Sequence, residues 1–215
     1  MTKKVIIFDF DGTIADTLDA VVSIANRFAL EFGYIPITPS ELLKLKNLTA
    51  REILKYSGFP LFKAPFLIKK VKAELKNQIS ELQPISGIEM ALEQLNNQGY
   101  HLGIITSNSQ ENVSLFLNNH DLDYLFDFVY TGVTIFGKTT IINNVLRQKQ
   151  IQPQMVVYVG DETRDIEASK KANIKVIAVS WGFNSTEALA RCNPDILIQH
   201  PSELVDAVNS LNGGL

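Results

Sequence analysis

Four apolar residues run directly into an acid near the start of the chain, in the stretch Val5-Ile6-Ile7-Phe8-Asp9-Phe10-Asp11-Gly12-Thr13-Ile14-Ala15-Asp16-Thr17. A continuous run of β-branched and aromatic side chains is the pattern of a strand buried on both faces. Such a strand ends in carboxylates only where its end opens onto water or a cation. Asp9 and Asp11 are two places apart, so they leave an extended chain on the same side. Carboxylates that close repel, and a divalent cation or a shared proton is the usual remedy. Gly12 permits a tight turn after them. Two acids and a turn at the carboxyl end of a first parallel strand mark the place where α/β proteins hold ligands.

Beyond this strand the rhythm is helical. Leu18, Val21, Val22, Ala25, Phe28, Ala29 and Phe32 recur at three- and four-residue steps until Gly33. Thr38-Pro39-Ser40-Glu41 and Thr49-Ala50-Arg51-Glu52 read as capping boxes, with Gly58 closing the second helix. Leu67, Ile68, Val71, Leu75, Ile79 and Leu82 mark one more helix. From Pro84 strand and helix alternate. Ser86-Gly87-Ile88-Glu89 reads as a helix cap. Strands are expected at 101–106, 128–131, 155–159, 175–180 and, more weakly, 196–198, with helices through Val113, from Lys138, from Arg164 and from Ser202. Such units imply right-handed crossovers and a parallel sheet covered on both faces. The expected fold class is α/β: a doubly wound parallel sheet from residues 1–14 and 84–215, with an inserted all-helical domain at 15–83.

Composition bounds the function. A length of 215 residues with 46% hydrophobic content suits one large domain or a domain with an insert. A net charge of −3 gives no ground for a general nucleic-acid or membrane surface. Cys192 is the only cysteine, which fits a reducing compartment. No apolar run approaches the roughly 18 residues of a membrane span, so a cytoplasmic protein is expected. Residues 15–82 carry 10 basic and 7 acidic side chains, and the remainder 10 and 16. That asymmetry suits an anionic substrate held between a basic insert and a metal-binding base. Ordinary scatter on solvated helix faces produces the same count.

Asp9-Phe10-Asp11-Gly12-Thr13-Ile14-Ala15-Asp16-Thr17 resembles the first motif of the haloacid dehalogenase superfamily, in its magnesium-dependent phosphatase branch. Three further motifs follow in the order of that family. The resemblance implies that Asp9 attacks phosphorus and that Asp11 is the general acid/base. Leu102-Gly103-Ile104-Ile105-Thr106-Ser107-Asn108 is an apolar strand ending in small polar residues. The resemblance gives Thr106 a hydrogen bond to a phosphoryl oxygen, with Ser107 and Asn108 as further donors at a helix start. Lys138, in Phe136-Gly137-Lys138-Thr139-Thr140, opens a helix against the macrodipole preference for acids there. The family lysine neutralises charge on Asp9 and the phosphoryl group. Thr139 stands where close relatives usually carry proline. In Val159-Gly160-Asp161-Glu162-Thr163-Arg164-Asp165 an apolar strand again ends in acid, with a second acid one helical turn on. Asp9, Asp11, Asp161 and Asp165 are the expected metal ligands, Asp165 directly or through water. Hard oxygen donors suit Mg²⁺. Glu162 and Arg164 are expected to face away.

The insert is similar to the superfamily's cap, with hinges expected near Ile14–Thr17 and Gln83–Ser86. Arg51, with Lys46 nearby, is the candidate for touching substrate from the cap; a solvated charge is the plain alternative. Phe59, Leu61, Phe62 and Phe66 are expected in the cap's core, and Lys69, Lys70, Lys72 and Lys76 on a wet helix face. His101, His120 and His200 match no metal spacing. Trp181-Gly182-Phe183-Asn184 resembles a loop of phosphoglycolate-phosphatase-like members. The implied activity is Mg²⁺-dependent hydrolysis of a small phosphorylated metabolite. A phosphomutase of the β-phosphoglucomutase type, or a non-catalytic metal-binding regulator, would share the same scaffold.

Overall fold

β1 (Val5–Phe8) lies at the middle of a six-stranded sheet, its four side chains all buried. The structure, a computed structural model, describes residues 4–56, 59–132 and 137–212, apart from the side chains of Leu54, Leu61 and Asn212. The other strands are β2 (His101–Ile105), β3 (Phe126–Tyr130), β4 (Val156–Gly160), β5 (Lys175–Val179) and β6 (Ile196–Ile198). Their order is β3-β2-β1-β4-β5-β6, and every neighbouring pair is parallel. Alternation along β1 explains its uniform composition. Ile6 and Phe8 join one apolar cluster and Val5 and Ile7 another, on opposite faces of the sheet.

The helices, in chain order, are α1 (Leu18–Arg27), α2 (Ala29–Phe32), α3 (Pro39–Lys46), α4 (Ala50–Tyr56), α5 (Ala64–Leu75), α6 (Ile88–Asn97), α7 (Gln110–Asn119), α8 (Lys138–Gln148), α9 (Thr163–Lys171), α10 (Thr186–Arg191) and α11 (Leu204–Asn212). α6, α7 and α11 cover the Ile6–Phe8 face, while α8, α9 and α10 cover the other. Among the described residues no helix is long and apolar enough to cross a membrane.

The segment between β1 and α6 is helical, as its periodicity predicts, but its details differ. The apolar stripe from Leu18 to Phe32 is broken at Phe28, whose N–H bonds Ala25 O at 2.9 Å, one residue short of α-helical spacing. Gly33, at φ 76°, ends α2. The Thr49 box forms in full: Thr49 N donates to Glu52 Oε2 at 2.7 Å and Glu52 N to Thr49 Oγ1 at 3.3 Å. At Thr38 the hydroxyl caps Glu41 N. α5 stops at Leu75, short of Leu82, yet Ile79 is buried by the turns that follow. Ser86 does not cap α6, because Gly87, at φ 87°, takes the N-cap position in a left-handed conformation. α10, capped by Ser185, is an element that periodicity did not predict. Phe62 and Phe66 are 73% and 65% exposed, so they are not cap core; Phe59 is half-buried, and Gly58 and the Leu61 side chain lie outside the described residues.

The chain enters and leaves the insert side by side. Asp16 N donates to Gln83 O at 3.0 Å and Ile85 N to Ile14 O at 2.8 Å. Ile24, Leu75 and Ile79 of the insert share an apolar cluster with Phe10 and Phe116.

Candidate active site

Winding reverses at β1: β2 and β3 lie to one side, and β4 to β6 to the other. The crevice outside the carboxyl ends of β1 and β4 is therefore the topological switch point, where open parallel sheets bind ligands. Asp9 follows β1, Thr106 follows β2 and Asp161 follows β4, so strand ends deliver all three to it.

Asp9, Asp161 and Asp165 are buried, and each offers a carboxylate oxygen within 4.8 Å of the others. Lys138, the first residue of α8 and only 3% exposed, places Nζ 2.8 Å from Asp9 Oδ2 and also pairs with Asp165 Oδ1. Those two partners explain a cation at the positive end of a helix. Burial works against the Lys138 charge, but Asp165 and Asp9 outweigh it and hold its pKa well above the usual lysine range. One lysine cannot balance three buried acids. Burial, reinforced by the charges of Glu162 and Asp9, pushes the Asp161 carboxyl well up. Burial also raises Asp165 to about 7 despite Lys138. Hard oxygen donors with uncompensated negative charge fit a divalent cation.

Asp161 is held from two sides. Thr13 Oγ1 donates to its Oδ1 at 2.7 Å and Phe183 N to its Oδ2 at 2.7 Å. The backbone approaches closely enough that a Cβ on Gly12 (φ 73°) or Gly182 would lie 2.4 or 2.2 Å from Asp161 Oδ2. Asp165 divides its work: Oδ1 meets Lys138, while Oδ2 accepts from Glu162 N at 3.1 Å and so caps α9.

The structure does not bring Asp11 into the trio. Its carboxylate instead accepts from Asn108 Nδ2 at 2.9 Å. Burial and then the charge of Asp9 raise the Asp11 carboxyl to about 6. A carboxyl raised toward neutrality is suited to acid/base work. Thr106 is buried, and its Oγ1 accepts from Asn108 N at 3.0 Å. Asn108 is fixed in turn, since its Oδ1 accepts from Ser109 N at 2.8 Å and Asn112 Nδ2 at 2.9 Å.

Three side chains depart from their expected settings. The Lys72 ammonium leaves the wet face of α5 and donates to Ser107 O, and burial lowers its pKa. Arg164 and Glu162 pair with each other and are 19% exposed, rather than facing away. Arg164 lines a narrow cleft with Arg51, Lys138 and Thr163, and the charges of Glu162, Asp9 and Asp165 hold it protonated against burial. Arg51 is exposed at the rim of that cleft. Sequence patterns also passed over Thr13, Lys72 and the backbone of Phe183. Thr13, inside the first motif, and Phe183, inside the Trp181–Asn184 loop, carried a signal; Lys72 carried none. His101 and His120 bond Asp127 and Leu82 O, away from the acids. Cys192 is half-buried, and burial raises its thiol.

The haloacid dehalogenase-like hydrolase family matches residues 6–179. The chain belongs to that family. Within it the chain groups with phosphatases. It is 38% identical to phosphoglycolate phosphatase of Synechococcus elongatus over 97% of this chain and 98% of that one. It is 26% identical to phosphoglycolate phosphatase of Aquifex aeolicus, covering 96% and 97%. A pyrophosphatase of Oceanobacillus iheyensis is 23% identical, covering 97% and 98%. Among solved structures, a predicted phosphatase from Clostridium acetobutylicum superposes with a TM-score of 0.82 at 23% identity, over 98% of this chain and 100% of that one. This hydrolase thus matches its relatives in sequence, and a solved fold in shape, along nearly the whole chain.

Proposed function

We propose that this hydrolase cleaves a small phosphate monoester, of the phosphoglycolate kind, by way of a phosphorylated Asp9. The observation that carries the reading is the buried constellation of Asp9, Lys138, Asp161 and Asp165 at the switch point, with the raised Asp11 beside it. Asp9 attacks phosphorus, and the bond from phosphorus to the leaving alcohol breaks. Asp11 gives its proton to the departing oxygen, then takes one from the water that splits the phosphoaspartate and releases phosphate. Lys138 pairs with Asp9 and offsets charge on the transferring group. Thr106 accepts from Asn108 N, which leaves its hydroxyl hydrogen for a phosphoryl oxygen, and Ser107 and Asn108 flank it. Asp9, Asp161 and Asp165 would hold a divalent cation, Mg²⁺ by the hardness of the donors. Such a cation supplies charge stabilisation and substrate orientation when bound.

Residues 15–83 serve as the cap, hinged where Ile14–Thr17 and Gln83–Ser86 pair. Lys72 donates to Ser107 O, beside Thr106, and Arg51 lines the cleft that it shares with Lys138, a positive setting that suits an anionic ester. The relative 38% identical over nearly its whole length supports phosphoglycolate as the substrate. A reducing, cytoplasmic setting is consistent with Cys192 as the single thiol. The test is a panel of glycolate, sugar, nucleotide and pyrophosphate esters offered to the wild type with Mg²⁺. Phosphoglycolate is expected to give the highest kcat/KM, and release of phosphate from none of them would overturn the reading.

A further inference from the structure

The loop after β5 holds a residue that touches both halves of the molecule. Asn184 is 5% exposed, and its whole amide is engaged. Oδ1 accepts from the N–H of Thr163, the first residue of α9, at 2.9 Å. Nδ2 donates to Lys46 O at 3.0 Å and to Leu48 O at 2.9 Å, just where α3 ends. Carbonyls at the end of a helix lack partners within it. Asn184 supplies partners from the sheet side. Its own N–H donates to Asp161 O at 3.2 Å, and the preceding N–H, of Phe183, to Asp161 Oδ2. Ser185 continues the clasp: its N–H bonds Lys46 O at 2.8 Å and its Oγ lies 2.5 Å from Asn47 Oδ1. Arg191 of α10 donates to Asn47 O.

We propose that Asn184 is a positioning residue that couples the seating of the insert to the geometry of the Asp161–Asp165 loop. The inference rests on the cap-and-carboxylate reading given above. With the insert seated, both donors of Asn184 are fixed by Lys46 and Leu48, so its acceptor is fixed on Thr163 and the turn carrying Asp161 is held. When the insert lifts, the donors lose their partners, the side chain is free to rotate, and Thr163 N–H loses its acceptor. Coupling of this kind is reciprocal: whatever tightens the carboxylate loop also favours the seated insert. Asparagine is specific for the task, since aspartate retains only the acceptor and alanine retains neither half.

Hydrogen–deuterium exchange on the full metal-free chain tests the coupling without relying on activity. In Asn184→Asp the acceptor for Thr163 survives, but carboxylate oxygens face the carbonyls of Lys46 and Leu48. Exchange in 44–50 is expected to rise roughly tenfold, the scale of one lost buried hydrogen bond. Exchange in 160–165 is expected to rise as well, though less than in Asn184→Ala. Faster exchange in 44–50 with 160–165 at the wild-type rate would reduce Asn184 to a clasp and overturn the coupling. Wild-type exchange in 44–50 would remove the clasp itself. Should Asn184→Asp also speed exchange in β2, a sign of general unfolding, Arg191→Ala, which loosens the insert at Asn47 and leaves Asn184 intact, decides by the same two segments. In turnover, both variants are expected to lose roughly tenfold in kcat/KM at limiting Mg²⁺ and to recover with excess Mg²⁺. A loss that excess Mg²⁺ does not relieve would cut the link to the carboxylates. If the wild type hydrolyses no ester, the phosphatase reading fails and the exchange result still decides the coupling.

Discussion

At the carboxyl edge of the sheet the charged side chains are buried and paired; in the helical insert, large apolar side chains face solvent. Asp9 and Asp165 share Lys138, and Asp161 is gripped by Thr13 and Phe183 N–H. By contrast Leu30, Ile35, Leu43, Tyr56, Phe62 and Phe66 of the insert are exposed. An apolar cavity of about 640 Å³ lies among Tyr34, Ile37, Leu45, Ile53, Phe59 and Leu67, away from the acids. Phosphoryl transfer needs reacting groups held within fractions of an ångström, which close packing on two-faced strands supplies. On the proposed reading of the insert as a cap, it has to lift and reseat, and looser packing suits that. Mutations on the sheet edge should therefore act on kcat and stability, and those on the insert on KM.

The largest effect expected from this contrast is at Asp9. Asp9→Asn should lower kcat by at least ~10³-fold while circular dichroism stays native, because the nucleophile is lost but its volume is kept. Appreciable turnover by that variant would take the nucleophile's role from Asp9. Next comes Lys138→Ala, which strands carboxylates without their cation. A kcat loss of ~10²-fold or more and a stability loss of about 3–5 kcal/mol by urea titration are expected. A change confined to KM would place Lys138 with the insert's residues instead.

Proton linkage separates the two regions in a third way. In the folded, metal-free protein Asp11 titrates at about 6 and Asp165 at about 7, both raised from 3.8. Between those values the native state holds protons that the unfolded chain has lost. Stability is thus greatest below about pH 4 with respect to these groups and declines as pH rises through 6 to 7. Melting temperatures measured with chelator across that window should fall, and Mg²⁺ should reverse the fall. A flat profile would mean that the acids are ionised and balanced without a metal.

Smaller effects are expected in the insert. Arg51→Ala at the cleft rim should raise KM several-fold, within about 1 kcal/mol of binding, and leave kcat within about twofold. Least of all, Phe62→Ser should change stability by no more than about 0.5 kcal/mol. Phe10→Ala, in the core under the site, should cost about 3–5 kcal/mol. Near-equal losses in the last pair would erase the distinction between the regions.

Much of the sheet edge was legible in the chain itself. An apolar strand that ends in acid is locally anomalous, and the anomaly recurs at Asp9 and Asp161, so four strand and helix ends could be matched to one family pattern. Helix starts with a local hydrogen-bond code, such as Thr49 with Glu52, were legible for the same reason. Other features had no local signature of their partners. Nothing in Lys69, Lys70, Lys72 and Lys76 marks Lys72 as the one that bends to Ser107, because that depends on where α5 docks. Asp11 parts from Asp9 because Asn108, nearly a hundred residues away, claims its carboxylate. Asn184 joins Thr163 to Lys46 across 21 and 138 residues. Residue type and short-range spacing set the chemistry available to each strand end. Which groups share a proton, a cation or a hydrogen bond was settled by long-range packing, since burial and mutual distance are properties of the folded chain alone.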